Sequence, residues 1–224
     1  MSAGASPMPP DPVAETSAPA FDRAAFQAAT GCDDAAMARM DAFQALLVEW
    51  NEKMNLVGPS AMASFWGRHA FDSAQLLALA PDAKVWADIG AGAGFPGLVL
   101  AILSRDRPGM AVHLIESIAK RCLFLRTVSA ALDLPTQVHN ARAESLNLSP
   151  VDVVTARACA PLPRLLEYAR PLLRGKATAL FLKGRDVDAE IAEARKTWRF
   201  EATLLPSRSD PEGRIVHLQR LSRV

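Results

Sequence analysis

From Asp33 to Asn55 the apolar residues Met37, Met40, Phe43, Leu47, Trp50 and Met54 recur every three or four positions, the spacing of one helix face. Gly58-Pro59 interrupts the pattern, and a second helical stretch is expected from about Ala61 to Leu79, before Pro81. Residues 21–80 are therefore expected to form a helical cap. After Pro81 the period changes: short apolar runs alternate with helix-length segments, the order that builds βα units on a parallel sheet. Residues 85–89, 112–115, 136–139, 151–155 and 177–182 read as five strands. Helices are expected through Leu103, over 117–132 with Cys122, Leu125, Ser129 and Leu132 inward, from Pro161, and over 186–198. Residues 200–205 and 214–221 then read as strands joined by a turn-rich segment, an antiparallel pair on one edge. The class is α/β, a seven-stranded, mostly parallel sheet with an antiparallel C-terminal strand, occupying residues 81–224 behind the cap.

Composition adds limits. Residues 1–20 hold five Pro and five Ala among Ser, Gly and Thr, which cannot bury enough surface to offset ordering entropy, so a disordered tail is expected. That tail lacks Lys, Arg and an apolar core, so it fails as a secretory signal. The longest apolar run in the middle of the chain, Leu98 to Leu103, is far short of the roughly 20 residues of a membrane span. A cytoplasmic protein is expected. Cys32, Cys122 and Cys159 show no paired spacing, and His69, His113, His139 and His217 form no i, i+4 pair around a Glu, so neither disulfides nor a metal site are expected. The net charge of +1 hides a gradient of −5 over residues 1–84, +5 over 85–184 and +1 over 185–224. A basic middle suits an anionic ligand or simply a solvated basic face.

The segment Asp88-Ile89-Gly90-Ala91-Gly92-Ala93-Gly94-Phe95-Pro96-Gly97 follows a strand and opens a helix. Glycines there let a ligand approach the main chain. A dinucleotide fingerprint wants glycine at the first, third and sixth positions, and Phe95 occupies the sixth, which counts against a nicotinamide cofactor. Asp-x-Gly-x-Gly-x-Gly instead resembles the first motif of class I methyltransferases, whose cofactor is S-adenosylmethionine. Lacking a pyrophosphate, that cofactor tolerates Asp88 near its amino-acid end. Glu116 closes the second strand, where a carboxylate can accept both ribose hydroxyls of an adenosine, and Ala143-Glu144 follows the third, where such folds contact adenine.

The chain further resembles the glucose-inhibited division protein B family of bacterial enzymes that methylate N7 of a guanine in small-subunit ribosomal RNA. The matching segments, in the family's order, are Trp50-Asn51-Glu52-Lys53-Met54-Asn55-Leu56, Arg68-His69-Ala70-Phe71-Asp72-Ser73, Asp88 to Gly97, Glu116-Ser117 with Lys120-Arg121, Arg142-Ala143-Glu144, Thr155-Ala156-Arg157-Ala158, Ala160-Pro161-Leu162 and Lys183-Gly184. The resemblance implies the Rossmann-like class I methyltransferase fold and a ribosomal RNA or small-subunit partner, with no DNA. It also implies cofactor contacts at Gly90, Phe95, Ala143, Glu144 and Arg157, to which the glycine turn and second strand add Asp88, Gly92, Gly94 and Glu116. Asn55, His69, Arg142, Arg157 and Lys183 are implied around the guanine or its phosphates.

Guanine N7 has a lone pair and no proton, so its attack on a sulfonium methyl needs no general base, and positioning should dominate. Consistent with this, no Asn/Asp-Pro-Pro-aromatic motif follows the fourth strand. Cys159 is the one candidate nucleophile, as a cytosine-C5 enzyme would need, or else a small buried hydrophobe. A nicotinamide oxidoreductase and a non-catalytic ribosome-binding factor are the competing readings.

Overall fold

A computed structural model describes residues 21–148 and 150–224. The Pro/Ala-rich tail expected at residues 1–20 lies outside them. The N-terminal helices are α1 (Arg23–Thr30), α2 (Asp34–Met54), α3 (Pro59–Ala63), a π-helical turn (Phe65–Phe71), α4 (Asp72–Ala74) and α5 (Leu76–Leu79). Then come β1 (Val85–Ile89), α6 (Gly97–Leu103), β2 (Ala111–Glu116), α7 (Ala119–Ala131), β3 (Thr136–Asn140), a 3-10 turn (Ala143–Ser145), β4 (Val153–Arg157), α8 (Leu162–Ala169), β5 (Thr178–Lys183), α9 (Val187–Ala194), β6 (Trp198–Pro206) and β7 (Arg214–Arg223).

The sheet order is β3-β2-β1-β4-β5-β7-β6, with β7 antiparallel to both its neighbours. Its strands were legible where both faces are covered, as in β1 and β5, whose residues are almost all buried. The chain winds outward from β1 through β2 to β3, then returns to place β4 on β1's other side. That reversal makes the carboxyl ends of β1 and β4 the crevice where open α/β sheets bind ligands.

One face of the sheet is covered by α6 and α7, and the N-terminal helices pack over these. Met37, Met40, Phe43 and Leu47 of α2 join Leu98, Val99, Phe124 and Val128 in one hydrophobic cluster. The other face carries α8 and α9 through Leu162, Leu165, Leu166, Val187 and Trp198. Asp22 and Asp33 cap α1 and α2 by accepting from the Ala25 and Ala36 N–H groups.

Four expectations need correction. The helix expected over 61–79 is broken into a π-helical turn and short α segments, with the Asp72 N–H reaching the Gly67 carbonyl five residues back. The helix expected over 186–198 stops at Ala194. Trp198 instead opens β6, its indole buried against the sheet. Strand β4 starts two residues later than expected, because Asp152 turns its carboxylate onto the Lys84 and Val85 N–H groups and only then does the ladder to β5 begin. In α7 the inward residues are Cys122, Phe124, Leu125 and Val128; Ser129 and Leu132 are half-buried.

Candidate active site

The turn after β1 is built by backbone that only glycine adopts without strain. Gly90 has φ +69°, and a Cβ there would stand 2.7 Å from the Cys159 Sγ. At Gly97 the constraint is space: a Cβ would meet Leu114 Cδ2 at 2.3 Å and Asp88 Oδ2 at 2.7 Å. Asp88 is 1% exposed and holds the turn from beneath, Oδ2 accepting from the Gly97 N–H (3.0 Å) and Oδ1 from the Thr155 hydroxyl (3.0 Å). Burial pushes its carboxyl up to about 7, against the two hydrogen bonds. Asp88 thus ties β1 to α6 and β4, and it is not part of the cavity wall above.

That cavity, ≈ 190 Å³, lies over the ends of β1, β2 and β4. Its walls include Gly90, Glu116, Arg142, Ala143, Glu144 and Cys159, and Tyr168 from α8. The Glu116 carboxylate is 5% exposed; Oε2 accepts from the Gly92 N–H (3.1 Å) and Oε1 from the Ile118 N–H (2.8 Å). Each oxygen keeps a second lone pair, so the group can still receive a pair of hydroxyls. A fixed carboxylate at the end of β2, a turn open only because Gly90 lacks a Cβ, and a second carboxylate at Glu144 fit an adenosine bearing a cationic substituent. Arg142 is exposed, and its side chain pairs with no other described residue.

The remaining cofactor candidates lie outside this cavity. Phe95 is 7% exposed and packs against Phe43, Phe65 and His69, with ring centroids 5.4, 5.9 and 5.1 Å away. Gly94 is pressed on Leu98. Gly92 contributes its N–H to Glu116.

A second, larger cleft of ≈ 680 Å³ opens beside the first, between the π-helical turn, the ends of β4 and β5 and the β6–β7 loop. Cys159 is the one described residue that lines both. Arg157 lies here, where the family resemblance had implied contact with cofactor. Its Nη1 donates to His69 Nδ1 at 2.5 Å, and its Nε stands 3.8 Å from Asp72 Oδ2. Because a guanidinium has no acceptor, His69 must be neutral with its proton on Nε2. Burial, then the charges of Arg157 and Arg68, lower its pKa to about 4.

Lys183 also lines this cleft, but its ammonium is held by Glu190 Oε2 (2.6 Å) and donates to the Ala160 carbonyl (2.8 Å), fastening β5 to the loop before α8. Asn55 is the left-handed C-cap of α2 (φ 49°) and lines neither cleft. Burial, followed by the nearby Asp88 and Glu116, pushes the Cys159 thiol up, which keeps it protonated and a poor nucleophile.

Sequence reasoning missed two features. Tyr168 gives no signal within an ordinary amphipathic helix. A polar knot joins Asp72 and Gln75 to Ser207, Arg208 and Ser209 of the β6–β7 loop, although those serines read as plain turn residues. Among the described residues no group of three or more His, Cys, Asp or Glu side chains could hold a metal ion, and no helix is long and apolar enough to cross a membrane.

The strand order, the single reversed strand and the cavity at the switch point define a Rossmann-like class I methyltransferase architecture. Solved structures share the fold: ribosomal protein L11 methylase from Lactobacillus delbrueckii subsp. bulgaricus aligns with TM-score 0.52 and 14% identity over 66% of this chain and 76% of that one. A mutant of MtNAS in complex with S-adenosylmethionine aligns with TM-score 0.54 and 14% identity over 89% and 84%. The family described as rRNA small subunit methyltransferase G (GidB) matches residues 36–210. Ribosomal RNA small subunit methyltransferase G of Caulobacter vibrioides is 60% identical over 204 residues, 91% of this chain and 94% of the relative. Its counterpart in Methylorubrum populi is 46% identical over 187 residues, 83% and 89% of the two chains. The chain belongs to the GidB family.

Proposed function

We propose that this protein transfers the methyl group of S-adenosylmethionine to N7 of a guanine in small-subunit (16S) ribosomal RNA, in the cytoplasm. The observation that carries the reading is the meeting of two clefts at Cys159, one fitted to an adenosine and one lined by Arg68, Arg157 and Arg185, each facing a carboxylate, in a chain of this family. The cofactor, when bound, supplies an electrophilic methyl on a sulfonium. Glu116 would receive its ribose hydroxyls, Ala143 and Glu144 would flank its base, and Gly90 would allow the close approach.

The protein's own share is orientation. Guanine N7 must keep its lone pair free for the methyl, so an arginine that recognised the base would donate to O6 or to a flanking phosphate and not to N7. Arg157, with its direction fixed by His69 and Asp72, suits that task in the larger cleft. Arg142, unpaired on the cavity rim, is free to meet the cofactor or an RNA phosphate. Lys183 and Asn55 contribute by shaping the loop before α8 and the end of α2. No proton needs to be removed, so neutral His69 serves as an acceptor and not as a base.

The test is to incubate the protein and methyl-labelled S-adenosylmethionine with small-subunit RNA and with assembled subunits, digest to nucleosides and identify the labelled product. Label in 7-methylguanosine supports the reading. Label in 5-methylcytidine would promote the Cys159 alternative, and cofactor binding without transfer would favour a non-catalytic ribosome factor.

A further inference from the structure

The Asp72 carboxylate is divided between two tasks. Its Oδ1 accepts three hydrogen bonds, from Gln75 Nε2 (2.8 Å), Ser207 Oγ (2.8 Å) and Ser209 Oγ (2.7 Å). Its Oδ2 receives none of these and faces Arg157 Nε at 3.8 Å. The two side chains are only 13% and 19% exposed, so water screens their attraction weakly. Arg157 also meets a neutral imidazole, and Arg68, whose charge acts on it, is engaged by Asp210 at 2.8 Å. Asp72 is thus the carboxylate paired with Arg157, and it lines the same cleft.

Resting on the methyl-transfer reading above, we propose that Asp72 is a positioning residue for the reaction: through Oδ2 it aims Arg157 and balances its charge, while through Oδ1 it fastens the β6–β7 loop that walls the cleft. The charge balance has a chemical reason. Guanine becomes cationic as N7 takes the methyl, and an uncompensated guanidinium beside it would oppose that charge. His69, in the π-helical turn, and Asp72, just after it, lie three residues apart and meet the same arginine.

The two tasks separate experimentally. In Asp72→Asn the amide oxygen can still accept from Gln75, Ser207 and Ser209, whereas an amide N–H replaces the charge facing Arg157. Ser207→Ala with Ser209→Ala does the reverse. Asp72→Asn is expected to lower kcat for RNA methylation by about 10-fold or more with cofactor affinity close to wild type, and to lower Tm as well, because the largely buried guanidinium loses its counter-charge. The serine pair is expected to lower Tm while holding kcat within about threefold. In an Arg157→Ala background, Asp72→Asn should cost nothing further, because the charge acts through Arg157. An Asp72→Asn protein with wild-type kcat, a serine pair that lowers kcat as far as Asp72→Asn does, or an Asp72→Asn effect on kcat that adds in full to that of Arg157→Ala, each overturns the proposal. A wild-type protein inactive on ribosomal RNA would instead refute the function on which the proposal rests.

Discussion

Gly90→Ala tests the turn where the smaller cavity and the sheet meet. The added methyl faces two penalties. At φ +69° a residue with a Cβ is strained by about 1–2 kcal/mol. The Cβ would also lie 2.7 Å from Cys159 Sγ and 3.2 Å from Cys159 Cβ, a clash in a packed site of the kind that costs about 1–3 kcal/mol. The expected loss is about 2–5 kcal/mol, or about 5–15 °C in Tm for a chain of this length. Adding Cys159→Ala removes the sulfur but leaves the 3.2 Å contact, so the double variant should recover about 1–2 kcal/mol of the loss and no more. Urea unfolding of wild type, both single variants and the double variant gives the coupling directly. Additivity within about 0.5 kcal/mol would show that Cys159 is not the obstacle, and a Gly90→Ala protein as stable as wild type would refute the conformational argument as well.

Glu116→Gln leaves an amide oxygen for one backbone N–H but weakens the charge-assisted reception of hydroxyls, so S-adenosylmethionine affinity should fall about 10- to 100-fold by calorimetry; unchanged affinity would remove Glu116 from the cofactor site. Asp88 binds its proton up to about pH 7 in the folded chain but only to 3.8, the ordinary value, when unfolded. Its contribution is therefore full below about pH 4 and lost as pH rises to about 7. Asp88→Asn, neutral throughout, should gain on wild type in urea unfolding between about pH 5 and 8, and a pH-independent difference would contradict the buried-carboxyl account. Cys159→Ala should keep activity within about threefold and form no covalent RNA adduct, since a protonated thiol at the junction of the clefts has no bond to make; a trapped adduct in the wild type would reverse that conclusion.

What the sequence displayed and what it hid follow from the range of the forces involved. Strands β1, β2 and β5 are legible because burial on both faces leaves short, mostly apolar runs, interrupted only by Asp88 in β1 and His113 in β2. The ends of β2 and β5 were legible to within a residue and that of β4 to within two, which put Glu116, Lys183 and Arg157 at the crevice. The partners of those residues were not, because an ion pair joins positions distant in the chain. Lys183 reads as a free cation until Glu190 and the Ala160 carbonyl claim it, and Asp72 reads as one motif letter until Ser207 and Ser209 close on it. The π-helical turn was hidden for a related reason. An extra residue in the helix removes the 3.6 period on which the reading depends, and the residues it displaces are the polar ones that face the cleft.

Phe95 shows how one turn serves both the cavity over the strand ends and the N-terminal helices. In a dinucleotide fingerprint the sixth-position glycine lets the helix pack closely on the strand. Here that contact is made by Gly97, whose Cβ would strike Leu114 and the Asp88 carboxylate, so helix α6 begins two residues beyond the fingerprint's sixth position. The intervening Phe95 is freed from the strand–helix contact, and its ring enters the N-terminal helices between Phe43, Phe65 and His69. The residue that argues against a nicotinamide cofactor is therefore also the one that packs against His69, the hydrogen-bond partner of Arg157. A shift of the β1 turn would move His69 through its packing on Phe95, and Arg157 through its hydrogen bond to His69, so the geometry of one cleft constrains the other.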